Sequence, residues 1–182
     1  SGIMERQEPR PRLATIPGGT GNDIARNIGI QSIEDAVTAL RMNHVRAYDV
    51  VRVDCILDGE SVHRYAFLDC SIGFSAIPMV KPWMKRWGGP KGAYYLGALL
   101  QILKYRGPIM KISWDDEELI DRILMVIVGN VERSAGGSMC IAPGARADDG
   151  ELNVTIMPSV SRPRMIFRLM PKIPTGSHIL QP

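Results

Sequence analysis

No apolar run in this 182-residue sequence approaches the length of a membrane-spanning helix. The longest uncharged apolar stretch, Ile123 to Val128, reaches Val131 only through a glycine and an asparagine, whereas a span needs roughly 18 residues. Cysteine is scarce: Cys55, Cys70 and Cys140 are odd in number, far apart and without a C-x-x-C pair. That spacing excludes a zinc ribbon, a haem-attachment motif and a disulfide framework, and predicts buried thiols in a reducing compartment. Aromatics are only 6% of the chain. The opening residues lack an apolar h-region, since Arg6, Arg10 and Arg12 alternate with acids and prolines, so they do not read as a secretory leader. His44, His63 and His178 are isolated from one another and from cysteine, which gives no support to a Ser/Cys–His catalytic pair.

Acidic residues are absent from two long stretches. Cys70 to Trp114 contains Lys81, Lys85, Arg86, Lys91, Lys104, Arg106 and Lys111 and no carboxylate, a charge of +7. Leu152 to the end contains Arg162, Arg164, Arg168 and Lys172 and again no carboxylate, a charge of +4. The whole chain is only +3, so the remainder carries −8. Such segregation points to an anionic partner: phosphate, a lipid headgroup surface or nucleic acid. A solvated face, with the acids brought alongside by folding, is the plainer alternative.

What is present is globular composition, 45% hydrophobic with 23% charged, enough to bury a core. Residues 1–12 read as a charged, Pro-rich loop. Leu13 to Ile16 reads as a short buried strand, running into Pro17-Gly18-Gly19-Thr20-Gly21-Asn22-Asp23, after which Ile24 to Ile28 starts a helix. Ser32 with Asp35 three residues on resembles a capping box, and Ile33, Ala36, Val37 and Leu40 fall at helical spacing, predicting an amphipathic helix over 33–42. Beyond His44 the pattern turns to strands: 49–57, an Asp58-Gly59 hairpin of the I′ type, and a return strand over 62–72. A helix is predicted over 92–104, with Tyr95, Leu99, Ile102 and Leu103 on one side. A second hairpin joins 111–114 to 120–128 through the acidic turn at 115–118, and a last strand covers 152–157. A domain boundary is placed near residue 44.

Three segments carry chemistry. In the first, Gly18, Gly19 and Gly21 permit positive φ and close backbone approach, and Thr20, Asn22 and Asp23 bring polar groups to a helix start, where free N–H groups suit phosphate oxygens. A structural turn with Asn22 or Asp23 as an ordinary N-cap gives the same pattern. It is not a Walker A loop, since no lysine follows. In the second, Gly136 to Ala145 forms another Gly-rich loop, followed by Asp148, Asp149 and Glu151 around Gly150. Clustered carboxylates suit a general base or oxygen ligation of Mg²⁺, and an Asp-Gly turn between strands is the simpler reading. In the third, Trp83, Trp87, Tyr94 and Tyr95 interleave with Lys81, Lys85, Arg86 and Lys91, which suits a membrane interface, base stacking, or plain helix packing.

In this order the motifs resemble the diacylglycerol kinase catalytic-domain family, lipid kinases that include sphingosine and ceramide kinases and bacterial lipid kinases. Residues Ile16 to Arg26 are similar to its P-x-G-T-x-N-D-x-A-R segment, and Ser71-Ile72-Gly73-Phe74 to its S-x-G-F. Lys85 to Tyr94 is similar to its K-x-x-G-x-x-Y. Gly129-Asn130, Gly136-Gly137, Ala142-Pro143-x-Ala145 and Asp148-Asp149-Gly150-Glu151-Leu152 follow its late series, and Gly176-x-His178 resembles its G-x-H. The family's G-G-D-G-T motif is absent, as are the further strands, one with a D-G-E turn, that the family carries after its G-x-H.

The resemblance implies an α+β chain: residues 1–44 as the tail of an α/β nucleotide-binding domain, residues 45–182 as a mostly antiparallel, incomplete β-sandwich. It implies an ATP-dependent kinase with Mg²⁺ that phosphorylates a lipid hydroxyl such as that of diacylglycerol, working in the cytoplasm at an anionic membrane surface. Gly18, Gly19, Thr20, Gly21, Asn22 and Asp23 would hold the nucleotide, and Asp149, or else Glu151, would activate the hydroxyl. The glycine turn and the acidic corner are expected to face each other across a crevice. A fragment lacking G-G-D-G-T is expected to be inactive alone. A non-catalytic lipid-binding module and a kinase with a soluble acceptor, as in NAD kinases, are the alternatives. No nucleic-acid-binding motif is visible, and the oligomeric state is not legible.

Overall fold

A serine and an aspartate three residues apart set the start of the longest helix in the first half of the chain. Ser32 Oγ accepts from the Asp35 N–H at 3.0 Å, and Asp35 Oδ2 accepts from the Ser32 N–H at 2.9 Å, a reciprocal capping box. The Gln31 N–H, which also donates to Asp35 Oδ2 at 3.0 Å, and the Ser32 N–H together hold the Asp35 carboxyl below its ordinary range. In the computed structural model, which describes Met4 and residues 12–77, 82–87 and 89–180, the helix runs Ile33–Arg41 (α2) behind a single-turn helix, Asp23–Asn27 (α1). The expected loop over 1–12 lies almost entirely outside the described residues.

The chain divides into two compact units, each discontinuous in sequence: Ser1–Cys70 with Val128–Asn153, and Ser71–Ile127 with Val154–Pro182. In the first unit, Val51–Leu57 (β1) pairs antiparallel with Glu60–Ala66 (β2). Asp58 and Gly59 both have positive φ (51° and 85°), as a type I′ turn requires. The return strand does not continue to residue 72. It breaks at Phe67-Leu68 and resumes as Asp69–Gly73 (β3), which belongs to another sheet. The break has a local cause: the Phe67 and Leu68 carbonyls both accept hydrogen bonds from Asn130 and are lost to any ladder.

Three further expectations are corrected in this unit. Leu13 to Ile16 is not a strand, and Leu13 and Ile16 are 56% and 59% exposed. A strand needs a ladder, and no described segment offers one. The predicted stripe on α2 buries only Ala36, leaving Ile33, Val37 and Leu40 exposed. Cys55 is exposed on β1, so of the three thiols only Cys140 is buried. Burial, reinforced by Glu132, raises the Cys140 thiol pKa.

The second unit is built on a sheet in which β3 lies beside Glu117–Gly129 (β5) and β5 beside Ile109–Trp114 (β4), with Asn153–Pro158 (β8) also paired to β5. Strands β4 and β5 form the expected acidic-tipped hairpin, with Ile109 opposite Arg122 and Trp114 opposite Glu117. The two-residue strands Arg133–Ser134 (β6) and Met139–Cys140 (β7) pair within the first unit. The helix Gly89–Lys104 (α3) is confirmed, but among its described side chains the buried positions are Ala93, Gly97, Ala98 and Ile102, with Leu103 about half exposed. Of the basic-aromatic stretch, Trp83 and Arg86 are exposed. Lys81 and the side chains of Lys85, Trp87, Lys91, Tyr94 and Tyr95 lie outside the described residues.

The core of this unit gathers Phe74, Ile102, Leu124, Met157, Met165 and Leu169. Gly73 admits β5 beside it. Its φ is +91°, and an added Cβ would stand 2.6 Å from the Leu124 carbonyl oxygen, which no side chain tolerates. Irregular helical turns follow over Arg162–Arg164, Met165–Leu169 and Met170–Thr175, the last closed by Gly176 at φ 75°, with one more turn at Ser177–Leu180.

His178 follows that glycine and is 7% exposed, with Nδ1 lacking a protein partner. Burial lowers its pKa below the ordinary 6.5, against a weaker opposing hydrogen bond to the Lys172 backbone. The unfolded chain therefore binds the proton first, and its share of stability is present above pH 6.5 and is lost as the pH falls. Thermal unfolding between pH 8 and 5 is expected to show Tm falling below about 6.5, and His178→Gln is expected to flatten that part of the curve.

Candidate functional site

Two glycine loops more than a hundred residues apart in sequence meet at one carboxylate. Asp23, the first residue of α1, accepts through Oδ1 from the Gly136 N–H at 2.8 Å and the Gly137 N–H at 3.1 Å. Ala135, Gly136 and Gly137 all have positive φ (56°, 71° and 78°). Successive residues in such a turn aim their N–H groups into one concavity, an anion nest, and the anion in this one is Asp23. Asn27, one turn along α1, donates to the Arg133 carbonyl at 3.0 Å, and Arg26 Nε donates to the Gly21 carbonyl at 3.0 Å. A five-residue helix has no stability of its own, and these bonds hold it.

The glycine turn works differently from the sequence expectation. Gly18, Gly19 and Gly21 do not use positive φ, and the left-handed residue is Asn22, at φ 55°. The Asn22 side chain closes the turn in both directions, Oδ1 accepting from the Gly19 N–H and Nδ2 donating to the Gly19 carbonyl, each at 2.8 Å. Asparagine visits this region because its short side chain can bond locally in this way. The Gly18 N–H is likewise spent on the Ile16 carbonyl. Thr20, Gly21 and Asn22 are left, among the described residues, as the turn's N–H groups without an internal acceptor, and Thr20 is exposed. The space at Gly18 is open, with no atom within 4 Å of an added Cβ.

The acidic corner has a separate anchor. Asp49 Oδ2 accepts from the Gly150 N–H at 2.8 Å, and the Asp49 N–H donates to the Ala147 carbonyl at 2.7 Å. Asp49 is held in turn by Asn130, whose Nδ2 donates to the Asp49 carbonyl at 2.7 Å and to the Phe67 carbonyl at 3.0 Å. Asn130 is fully buried, with Oδ1 unpartnered. It joins the chain at 49, 67–68 and 130. On that support Asp148, Asp149 and Glu151 are all exposed. Asp148 pairs with Arg146 at 3.2 Å, and Asp149 Oδ1 accepts from the Glu151 N–H at 3.1 Å. Asp149 keeps Oδ2 as a free acceptor toward solvent, and such a carboxylate can take a proton from a hydroxyl within reach. Among the described residues no three His, Cys, Asp or Glu side chains are placed to hold a metal ion.

The candidate nucleotide residues Gly18 to Asp23 are thus brought together with Gly136 and Gly137, and the candidate catalytic Asp149 and Glu151 with Asp49, all within the first unit. Asp49 had no signal in the sequence, being one acid at the head of a strand. Asn130 had one, as a polar residue closing the most apolar run in the chain.

The comparisons with known proteins divide the chain once, in sequence. Residues 70–182 match the family model described as YegS C-terminal NAD kinase beta sandwich-like domain, and residues 1–53 match the diacylglycerol kinase catalytic domain. A diacylglycerol kinase of Mycobacterium tuberculosis is 28% identical over 170 residues, 92% of this chain and 53% of that protein. The Pseudomonas aeruginosa protein named "Probable lipid kinase YegS-like" is 31% identical over 160 residues, 86% of this chain and 49% of that one. Among solved structures, a diacylglycerol kinase of Bacillus anthracis superposes with a TM-score of 0.61 at 30% identity, covering 86% of this chain and 48% of that one. The chain spans about half the length of the relatives it matches.

The two anchors predict a graded response in urea denaturation. Asp23→Ala removes the acceptor of two N–H groups and is expected to cost about 1–3 kcal/mol, with Asn130→Ala at least as severe. Asp148→Ala loses only an exposed ion pair and is expected to stay within about 0.5 kcal/mol. Midpoints shifting in that order at constant m-value is the expected result.

Proposed function

Because the chain belongs to the diacylglycerol kinase-like lipid kinase family, we propose that it supplies part of an ATP-dependent kinase that phosphorylates the hydroxyl of a lipid such as diacylglycerol. The observation that carries this reading is the Asp23 clamp on Gly136 and Gly137. It fixes an exposed glycine turn with unspent N–H groups, in the unit that also holds an exposed carboxylate corner.

In this reading the chain's own groups divide the work. The Thr20 and Gly21 N–H groups and the Thr20 hydroxyl bind phosphate oxygens, and Gly18 and Gly19 let the backbone come close. Asn22 and Asp23 act through the turn, since the Asn22 side chain is engaged with Gly19 and Asp23 Oδ1 with Gly136 and Gly137. Asp149, with Glu151 as the alternative, accepts the proton of the attacking hydroxyl. Bound ATP supplies the γ-phosphoryl group. The residues fit a phosphate chain, and they fit Mg²⁺ only as an ion carried largely by those phosphates, because the described residues form no cage of their own.

Peripheral association with an anionic membrane is part of the same proposal. It is supported by Trp83, which is 50% exposed, and by Phe167, which is 80% exposed and lies between Arg164 and Arg168 in sequence. No helix among the described residues is long and apolar enough to cross a membrane.

The test is transfer of label from γ-³²P ATP to dioleoylglycerol in mixed micelles. These 182 residues contain no G-G-D-G-T motif, so alone they are expected to give no labelled lipid. A longer form bearing that motif is expected to be active, and Asp149→Ala in it to lose at least about 100-fold in kcat with KM for ATP little changed. Full activity in the Asp149→Ala and Glu151→Ala variants would remove the carboxylates from the mechanism.

A further inference from the structure

The two acid-free stretches of the sequence converge on a feature that the proposed kinase chemistry does not use. Within the second unit lies a cavity of about 380 Å³ whose lining includes Arg106, Arg122 and Arg162. Arg106 comes from the first acid-free stretch and Arg162 from the second, and Arg122 stands between them on β5. No Asp or Glu lines the cavity, and Ser159 and Ser161 add hydroxyls. The nearest acid in sequence, Asp121, precedes Arg122 on the strand, and successive strand residues project to opposite faces. Its Oδ1 takes up the Arg122 backbone N–H.

Three like charges around one small space repel one another, and an anion relieves that repulsion. Arg122 is already oriented: Nη1 donates to the Gly107 carbonyl at 2.8 Å, and its backbone carbonyl accepts from Ser159 at 2.7 Å. Arg106 and Arg162 have no carboxylate partner among the described residues and are exposed. The floor is apolar. Ile102, Leu124 and Met165 line it and also belong to the core cluster. Guanidinium forks match phosphate oxygens in planar, bidentate geometry, and an apolar floor beneath them suits the first methylenes of an attached chain.

We propose that this cavity is a binding site for a phosphate ester, its phosphate held by Arg106, Arg122 and Arg162, and that the apolar floor favours a phospholipid over a free phosphate. The site shares no residue with the glycine turns, and its existence does not depend on the kinase reading.

Calorimetric titration of the 182-residue chain tests it, with three probes: inorganic phosphate, dihexanoyl phosphatidic acid below its micelle concentration, and dihexanoylglycerol, which has no phosphate. Phosphatidic acid is expected to bind saturably and to weaken with added salt. Arg106→Gln and Arg162→Gln, both exposed and expected to fold as judged by circular dichroism, should each weaken it about tenfold. Arg41→Gln, on α2 in the first unit, is expected to leave it unchanged. Inorganic phosphate binding as tightly, with the same arginine dependence, would support the anion site and reject the preference for a lipid. No saturable binding of either phosphate probe, or binding indifferent to both arginine variants, would overturn the proposal. Equal binding of dihexanoylglycerol would overturn it as well, while leaving the proposed kinase substrate untouched.

Discussion

A single carboxylate holds the candidate nucleotide region together. Asp23 Oδ1 receives the N–H groups of Gly136 and Gly137, and without it those donors, presented by three successive left-handed residues, would have no protein acceptor. Charge-assisted bonds from backbone to carboxylate are among the stronger contacts open to a protein surface. This one spans 113 residues of chain. It joins a short helix that could not persist alone to a loop rich in glycine that has few side chains with which to pack. The same bonds explain why the turn at Gly18 to Asn22 has a defined shape although most of its surface faces solvent. Phosphate recognition by backbone groups needs such definition, because the N–H vectors must be set before the anion arrives.

A second polar anchor, Asn130, does for the acidic corner what Asp23 does for the glycine turn. It ends the most hydrophobic strand in the molecule and is wholly buried. Its amide draws the carbonyls of Asp49 and Phe67 together, which breaks the β2–β3 run and sets Asp49 beneath Gly150. A buried polar side chain is unfavourable unless its bonds are made, so an asparagine in this place ties the local geometry to one solution. Thr20, Asp149 and Glu151, which carry the proposed chemistry, are exposed, and the residues giving the two clusters shape are partly or wholly buried. That division is how a fixed site is built on loops.

Local rules made much of the fold legible in the sequence. The Ser32–Asp35 box, the Asp58-Gly59 turn, the 109–129 hairpin and the final strand at 153–158 were all readable, because each is specified by neighbours a few residues away. The ordered motifs carried the family resemblance. Illegible features depended on distant partners. Leu13 to Ile16 and the apolar face of α2 read correctly as apolar, but apolarity does not supply the neighbour that would cover it. Three glycines at 18, 19 and 21 suggested positive φ, yet Asn22 alone takes it, because its side chain can close the turn from within. Asp49 and the convergence of Arg106 with Arg162 arise from tertiary placement over long sequence separations, which no local pattern records.

The central claim is that the clamped glycine turn is a phosphate cradle built from backbone N–H groups. Titration of a non-hydrolysable ATP analogue into ¹⁵N-labelled chain, followed amide by amide, tests it most directly. The predicted result is saturable shifts led by Thr20 and Gly21, with smaller ones at Gly136 and Gly137, and none of comparable size around Arg106. Saturable shifts confined to residues outside both glycine loops, with Thr20 and Gly21 unmoved, would contradict it.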